Sequence, residues 1–128
     1  MARILLIEDN DPVRTLLRDT LELDGHTVIE ARNGKQGLAL FQHAGADLVI
    51  TDIVMPEKDG LEVVAALREK HPSVKIIAIS GADSGDYLDS ARLTGAAKVL
   101  LKPFSSDVLM AAINAVLPGG GASTSSDR

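Results

Sequence analysis

The hydrophobic positions of the chain fall into two alternating patterns. Short runs rich in Val, Ile and Leu are typical of strands that are buried on both faces of a parallel sheet. The longer segments between them carry hydrophobic residues at the three- and four-residue spacing of amphipathic helices. Five such runs occur, each followed by a helical segment: Ile4–Ile7, Thr27–Glu30, Leu48–Thr51, Lys75–Ile79 and Lys98–Leu101. The pattern predicts an α/β fold in which a doubly wound five-stranded parallel sheet lies between two layers of helices.

Capping and helix-breaking residues locate the helices and the domain boundary. The predicted helices lie within five segments: "NDPVRTLLRDTLEL", "NGKQGLALFQHA", "GLEVVAALREKHP", "DSGDYLDSARLTG" and "SSDVLMAAINAVLPGG". In the first of them, the residues expected to share one face are Val13, Leu16, Leu17, Thr20 and Leu21. The chain closes with the Gly/Ser-rich stretch "GGGASTSSDR". We therefore predict one domain over residues 1–118, followed at 119–128 by a flexible tail or truncated linker.

Composition and charge remove several classes of function. The 128 residues include 45% hydrophobic and 24% charged side chains, which suits one globular domain with a substantial core. A net charge of -5 and an aromatic content of 2% argue against direct binding of nucleic acid. The sequence contains no cysteine, so disulfides, thiolate metal sites and cysteine nucleophiles are excluded. The apolar run Ile4–Ile7 is too short for a signal peptide or a membrane span, and we expect a cytoplasmic protein.

Polar side chains follow the buried strands at their carboxyl ends. Glu8 and Asp9 follow the first strand, Asp52 the third, Ser80 the fourth and Lys102 the fifth. In a doubly wound sheet these ends lie along one edge, where such folds bind their ligands. Carboxylates held close together repel one another unless a cation is present, and oxygen ligands without His or Cys favour Mg²⁺. The spacing therefore predicts a magnesium site assembled from distant parts of the sequence.

The same residue types suit phosphoryl transfer. Asp52 offers a carboxylate nucleophile, Lys102 a mobile positive charge for a phosphoryl oxygen, and Ser80 a hydroxyl donor. Each residue alone has a simpler interpretation, with Asp52 as a turn cap, Lys102 as a surface lysine and Ser80 as a turn residue. Their occurrence together at matching strand ends favours Asp52 as a phosphoacceptor.

Four stretches resemble, in order, the motifs of the receiver domains of two-component response regulators. "ILLIEDNDPVR" is similar to the acidic-pair motif, and "DLVITDIVMPEKDG" to the phosphoacceptor strand and loop. "IIAISGA" is similar to the strand that carries the switch hydroxyl, and "LLKPF" to the conserved-lysine motif. The resemblance covers about Arg3 to Leu117. It implies a (βα)5 flavodoxin-like fold of the chemotaxis-regulator kind, with strand order 2-1-3-4-5.

By this resemblance, Asp52 receives a phosphoryl group from a phosphohistidine of a sensor kinase or phosphotransfer protein. Asp9 and Asp52 are implied as direct Mg²⁺ ligands, and the backbone carbonyl of Val54 as a further ligand. Glu8 stands where many members have Asp, and its longer side chain favours a role through water. The resemblance therefore implies that oxygen ligands from three parts of the sequence meet around one Mg²⁺ ion.

The resemblance also implies a switch. Ser80 and Lys102 would contact the phosphoryl group, and the bond between Lys102 and Pro103 would be a cis peptide. Phosphorylation would then change the surface of the fourth predicted helix and the fifth strand, where a downstream protein binds. The chain departs from many members because Val99 stands in the fifth strand at the usual place of an aromatic switch residue.

The expected protein is a single-domain response regulator, a signalling domain and not an enzyme, without nucleic-acid or membrane contacts. A receiver module excised from a hybrid histidine kinase or larger regulator would have the same features. An aspartate-nucleophile phosphatase is disfavoured because it needs a second Asp two residues after the nucleophile, where this chain has Val54. We expect the domain to promote its own phosphorylation. We also expect it to dephosphorylate slowly, because the side chains of Val54 and Ala82 cannot hydrogen-bond an attacking water.

Overall fold

The computed structural model describes residues 2–53, 60–81 and 94–117. Its elements are β1 (Arg3–Ile7), α1 (Asp11–Leu23), β2 (Thr27–Ala31), α2 (Gly34–Ala44), β3 (Leu48–Asp52), α3 (Gly60–Lys70), β4 (Lys75–Ser80), β5 (Lys98–Leu101) and α4 (Ser106–Val116). The helix predicted near "DSGDYLDSARLTG" lies, apart from Thr94 and Gly95, outside the described residues, so α4 is the fifth of the predicted helices. None of the described helices combines the length and the apolar character that a membrane crossing requires.

The five strands form one parallel sheet in the order β2-β1-β3-β4-β5, which confirms the predicted fold. β1 is paired with β3, and β3 is paired with β4 so that Asp52 lies opposite Ile79. β3 and β4 each extend one residue beyond the predicted end, so Asp52 and Ser80 are the last residues of their strands. Because all strands run in the same direction, their carboxyl ends lie along one edge of the sheet.

Alternate residues of the strands fill two hydrophobic cores, one on each face of the sheet. One core contains Leu5, Val49 and Ile76 together with side chains of α2 and α3. The other contains Leu6 and Ile50 together with side chains of α1 and α4. Complete burial of such a side chain contributes about 1.5–3 kcal/mol relative to exposure. The two helix layers therefore hold the sheet in place and fix the geometry of its edge.

The inward face of α1 differs from the predicted one. Its buried residues are Arg14, Leu17 and Leu21, whereas Leu16, which was expected on the same face, is 67% exposed. The helix is oriented so that the guanidinium of Arg14 turns toward the end of β1, where it donates a hydrogen bond to the carbonyl oxygen of Glu8 at 2.9 Å. A buried polar contact thus takes the place of an apolar one.

Gly60, the first residue of α3, lies against the backbone at the end of β3. Its N–H donates to the carbonyl oxygen of Ile53 at 2.8 Å. A Cβ at this position would overlap the carbonyl oxygen of Asp52 and the Cα of Ile53. Because both are backbone atoms, they could give way only if the end of β3 moved. The close approach therefore requires glycine and ties the position of α3 to that of Asp52.

Gly60→Ala should destabilise the protein by about 2 kcal/mol or more, because overpacking against backbone outweighs the roughly 0.5–1 kcal/mol that alanine gains over glycine in a helix. Gly37→Ala in α2 is the matched control, since the nearest atoms that its Cβ would meet belong to the side chain of Ile7 and not to the backbone. Urea denaturation measures both variants. Equal stability of the two would contradict the backbone constraint at Gly60.

Candidate functional site

Three carboxylates converge at the carboxyl edge of the sheet. Glu8 and Asp9 follow β1, and Asp52 ends the neighbouring β3. One carboxylate oxygen from each residue lies within 4.8 Å of the other two. Glu8 is completely buried and Asp52 is 6% exposed, whereas Asp9 is exposed. The acidic residues predicted from the strand ends therefore do come together, with one of them accessible from solution.

Lys102 bridges the two buried carboxylates. Its Nζ donates to Oε1 of Glu8 at 2.8 Å and to Oδ2 of Asp52 at 3.1 Å. The backbone N–H of the lysine donates to the carbonyl oxygen of Ser80 at 2.7 Å, which holds it against the end of β4. The peptide bond between Lys102 and Pro103 is cis, as the resemblance implied. β1, β3 and the segment after β5 therefore meet at one charged contact.

Burial and charge alter the proton affinities of this contact. The pKa of Glu8 is raised to about 7: burial is the main cause, the nearby charge of Asp52 adds to the rise, and the hydrogen bond from Lys102 opposes it. Burial alone would lower the pKa of Lys102, but its hydrogen bond to Glu8 and the charges of both carboxylates outweigh that effect, so its pKa is raised. At neutral pH the lysine is therefore a cation, and the carboxyl group of Glu8 holds its proton more strongly than an exposed glutamate does.

The residues at this edge fit a divalent cation. Lys102 balances one of the three carboxylates, which leaves two negative charges uncompensated when all three are ionised. Carboxylate oxygens without nitrogen or sulfur ligands are the donor set that Mg²⁺ and Ca²⁺ prefer. Val54, whose carbonyl was expected to be a further ligand, lies outside the described residues. Glu8, Asp9 and Asp52 are the described residues that could hold such an ion.

Ser80 lies in the strand next to Asp52, at the same edge. It is buried at the end of β4, one residue beyond Ile79, which is the partner of Asp52 in the β3–β4 register. Val99 in β5 is half-buried and packs against the core that contains α2 and α3. Ala82 lies outside the described residues. Ser80, the expected switch residue, thus lies at the end of the strand that neighbours the strand of Asp52.

Sequence reasoning missed two side chains that hold the backbone of the site. The hydroxyl of Thr51, buried in β3, donates to the carbonyl oxygen of Asp52 at 2.9 Å. Arg14 donates in the same way to the carbonyl oxygen of Glu8. Arg14 could have been found from the sequence, because it stands on the helical stripe that carries Leu17, and a charged residue on a buried stripe needs a partner.

His26, His43 and His71 stand at strand or helix edges in the sequence and not at the carboxyl ends of strands, which predicts that they are surface residues without a ligand role. The acidic cluster found among the described residues contains none of them. His43 is exposed and His71 is half-buried against the ring of Phe41. The surface prediction is wrong for His26, whose side chain is 9% exposed, because Nδ1 accepts a hydrogen bond from the N–H of Ala2 just before β1.

Known proteins are similar to this chain in sequence and in fold. The family described as "Response regulator receiver domain" matches residues 4–114. Transcriptional regulatory protein CpxR of Escherichia coli K12 is 36% identical over 117 residues, which cover 91% of this chain and 50% of that protein. Chemotaxis protein CheY of Halobacterium salinarum is 33% identical over 115 residues, which cover 90% of this chain and 96% of that protein. The crystal structure of a response regulator receiver domain protein from Clostridium thermocellum superposes with a TM-score of 0.86 at 30% identity, covering 91% of this chain and 94% of that one.

These matches identify the class of protein. The chain belongs to the receiver domains of response regulators, which are signalling domains of two-component systems. It spans about half the length of the CpxR relatives that it matches, and nearly all of the CheY relative. The family match covers every strand of the sheet apart from the first residue of β1.

In the metal-free protein, Glu8 should make stability fall as the pH rises from 4.5 to about 7. Between these values the folded state holds more protons than the unfolded state, because its pKa is the higher one, so removing protons favours unfolding. Glu8→Gln keeps an acceptor for Lys102 and should remove this contribution, of up to about 1 kcal/mol per pH unit. Urea denaturation in EDTA at several pH values across this range compares the two proteins. A stability difference that is constant with pH would argue against the raised pKa.

Proposed function

We propose that this domain accepts a phosphoryl group on Asp52 from a phosphohistidine of a sensor histidine kinase or phosphotransfer protein, in a reaction that requires Mg²⁺. The observation that carries the proposal is the contact of Lys102 Nζ with the carboxylates of Glu8 and Asp52, at 2.8 and 3.1 Å. This contact brings a cation, an acidic pair and a nearly buried aspartate from separate strands to one edge. The membership of the receiver family supports the same reaction.

In the proposed reaction a carboxylate oxygen of Asp52 forms a bond to phosphorus, and the bond from phosphorus to the imidazole nitrogen of the donor breaks. The electron pair of the broken bond stays with the imidazole, which takes up a proton. Lys102 then turns from the carboxylates to a phosphoryl oxygen, where its charge offsets that of the acyl phosphate. The offset is needed because the nucleophile and the incoming group are both negative.

When bound, Mg²⁺ supplies positive charge that draws phosphoryl oxygens toward the nucleophile. We assign Asp9 and Asp52 as its direct ligands, together with the carbonyl of Val54, which lies outside the described residues. Glu8 is assigned a role through water. Both of its carboxylate oxygens already accept a hydrogen bond, one from a lysine at 2.8 Å and one from a backbone N–H at 3.1 Å, which supports an indirect contact with the ion.

Ser80 is proposed to donate its hydroxyl to the phosphoryl group after Asp52 has been modified. Its burial at the end of β4, and the hydrogen bond from the Lys102 N–H to its carbonyl, support a coupled movement of the two residues. The movement would bias a pre-existing equilibrium at β5 and in the segment before it, where a downstream protein binds. Because Val99 replaces the usual aromatic residue, the aromatic half of this switch is missing.

We further propose that residues 1–118 are the receiver domain, 119–128 a tail or linker, and that the protein acts in the cytoplasm as a single-domain response regulator without nucleic-acid or membrane contacts. It would promote its own phosphorylation. Its dephosphorylation would be slow, because the side chains of Val54 and Ala82, both outside the described residues, cannot orient a water molecule. The alternative is a receiver module of a hybrid histidine kinase or larger regulator, which the 50% coverage of CpxR supports. An aspartate-nucleophile phosphatase is disfavoured because Val54 stands in place of its second Asp.

Acetyl phosphate with Mg²⁺ should add one phosphoryl group to the wild-type chain, detected by intact mass spectrometry. Asp52→Asn, or EDTA, should each reduce the labelling rate by about 100-fold or more, because the nucleophile or the neutralising charge is lost. Asp107→Asn, which alters an exposed carboxylate in the first turn of α4, is the matched control. Labelling of Asp52→Asn at the wild-type rate would refute the proposed function.

Ser80→Ala should still be phosphorylated at Asp52. Phosphorylation should then no longer affect β5, because the hydroxyl that would donate to the phosphoryl group is absent. Amide chemical shifts from Thr94 to Leu101, measured with and without phosphorylation, test this. The control is Ser73→Ala, which removes an exposed hydroxyl from the loop before β4. Phosphorylation-induced shifts of wild-type size in Ser80→Ala would show that Ser80 is not the switch.

A further inference from the structure

Arg14 is a charged side chain that α1 buries beside the acidic site, and the proposed reaction gives it no role. Only 10% of the side chain is exposed. Removing a guanidinium from water is costly unless hydrogen bonds and opposite charges replace the water. Two of its partners are such charges: Glu30 Oε1 lies 3.2 Å from Nε, and Asp11 Oδ1 lies 2.5 Å from Nη2. The third partner is the backbone carbonyl oxygen of Glu8, which accepts from Nη1 at 2.9 Å.

The contact with this carbonyl acts on the loop that carries two of the three carboxylates. The carbonyl of Glu8 and the nitrogen of Asp9 belong to one planar peptide group, so a donor on the oxygen sets the orientation of the whole plane. The N–H of Glu8 donates to the carbonyl oxygen of Ala31 at 3.0 Å. With Arg14 bound to the carbonyl, both backbone polar groups of Glu8 are held. The direction in which the Asp9 side chain leaves the loop therefore depends on the guanidinium.

Arg14 is itself anchored from β2. Glu30 accepts one hydrogen bond from Arg14 Nε and another from Arg18 Nη1, the latter at 3.0 Å. The other described ion pairs of Arg18 are with Asp19 and Glu22, on its own helix. Arg18 thus shares the anchor of Arg14 while making its remaining described contacts along α1. The chain therefore contains a matched control for the effect of charge.

We propose that Arg14 is a positioning residue for the Mg²⁺ site. It holds the peptide between Glu8 and Asp9 so that the Asp9 carboxylate stays close enough to that of Asp52 for both to bind the same ion. The inference rests on the proposed function, because it concerns the same ion. The proposal also predicts whether removal of Arg14 strengthens or weakens Mg²⁺ binding. Removing a positive charge near a cation site would by charge alone strengthen Mg²⁺ binding. Removing a group that positions the ligands weakens it, because Mg²⁺ demands near-ideal octahedral geometry.

Calorimetric titration of the unphosphorylated full chain with MgCl₂ separates the two effects. Arg14→Met should raise the Mg²⁺ dissociation constant about 10-fold, as the loss of groups that orient metal ligands does. Arg14→Lys keeps the charge and a donor, and should recover part of the affinity. Arg18→Met removes a charge from the same Glu30 and should leave the dissociation constant unchanged or slightly lower. A dissociation constant for Arg14→Met at or below the wild-type value would overturn the proposal.

Loss of stability is distinguished from loss of positioning by Ile113→Val. This substitution loosens the core between α4 and the sheet without altering the loop, and should lower stability but not Mg²⁺ affinity. If Arg14→Met does not fold, Arg14→Lys and Glu30→Gln carry the test. Both should weaken Mg²⁺ binding, and wild-type affinity in both would refute the positioning role.

The failure of the proposed function gives a different result. A wild-type chain that is not labelled at Asp52 by acetyl phosphate would defeat phosphoryl transfer, whatever the Mg²⁺ affinities are. A wild-type chain that is labelled, together with Arg14 variants that bind Mg²⁺ as tightly as it does, would defeat only the positioning role. Labelled wild type with weakened Mg²⁺ binding in the Arg14 variants supports both.

Discussion

The burial of opposite charges at the carboxyl edge of the sheet is the constraint on which the rest of the structure depends. Glu8 is completely buried and Asp52 nearly so, and the ammonium group of Lys102 lies between them. A carboxylate in an apolar interior without such a partner would be strongly destabilising. The contact requires β1 and β3 to be neighbours and β5 to reach the edge beside β4, which is the order that the sheet has. The sheet order and the charged contact therefore support each other.

The same contact leaves negative charge in excess. The cluster has three carboxylates and Lys102 contacts two of them; the pKa of Glu8 is raised to about 7 by burial and by the nearby charge of Asp52. A site of this kind attracts a cation before it can admit a phosphoryl dianion, because the dianion would otherwise meet uncompensated carboxylates. The dependence on Mg²⁺ and the mobility required of Lys102 in the proposed reaction both follow from the charge that the fold concentrates here.

A second set of contacts fixes backbone atoms beside the functional carboxylates. Arg14 binds the carbonyl of Glu8, and the hydroxyl of Thr51 binds the carbonyl of Asp52. Gly60 allows α3 to approach the end of β3 closely. In each case a residue that has no part in the proposed chemistry holds a backbone atom next to one of the carboxylates. Precise placement of the acidic cluster is therefore a property of the whole carboxyl edge and its flanking helices.

The sequence by itself determined the fold class and the residue types at the strand ends. It also determined the four predicted helices that the structure describes, because hydrophobic period and residue chemistry are local properties. It misplaced Leu16 on the inward face of α1, because Arg14 was not counted among the residues of that face although it lies on the buried stripe. Only the tertiary structure decided which polar groups meet: the ammonium group of Lys102 with carboxylates far away in the sequence, and the guanidinium of Arg14 with a backbone carbonyl. These pairings depend on side-chain direction and on the loss of water around each charge, and both are set only when distant segments pack together.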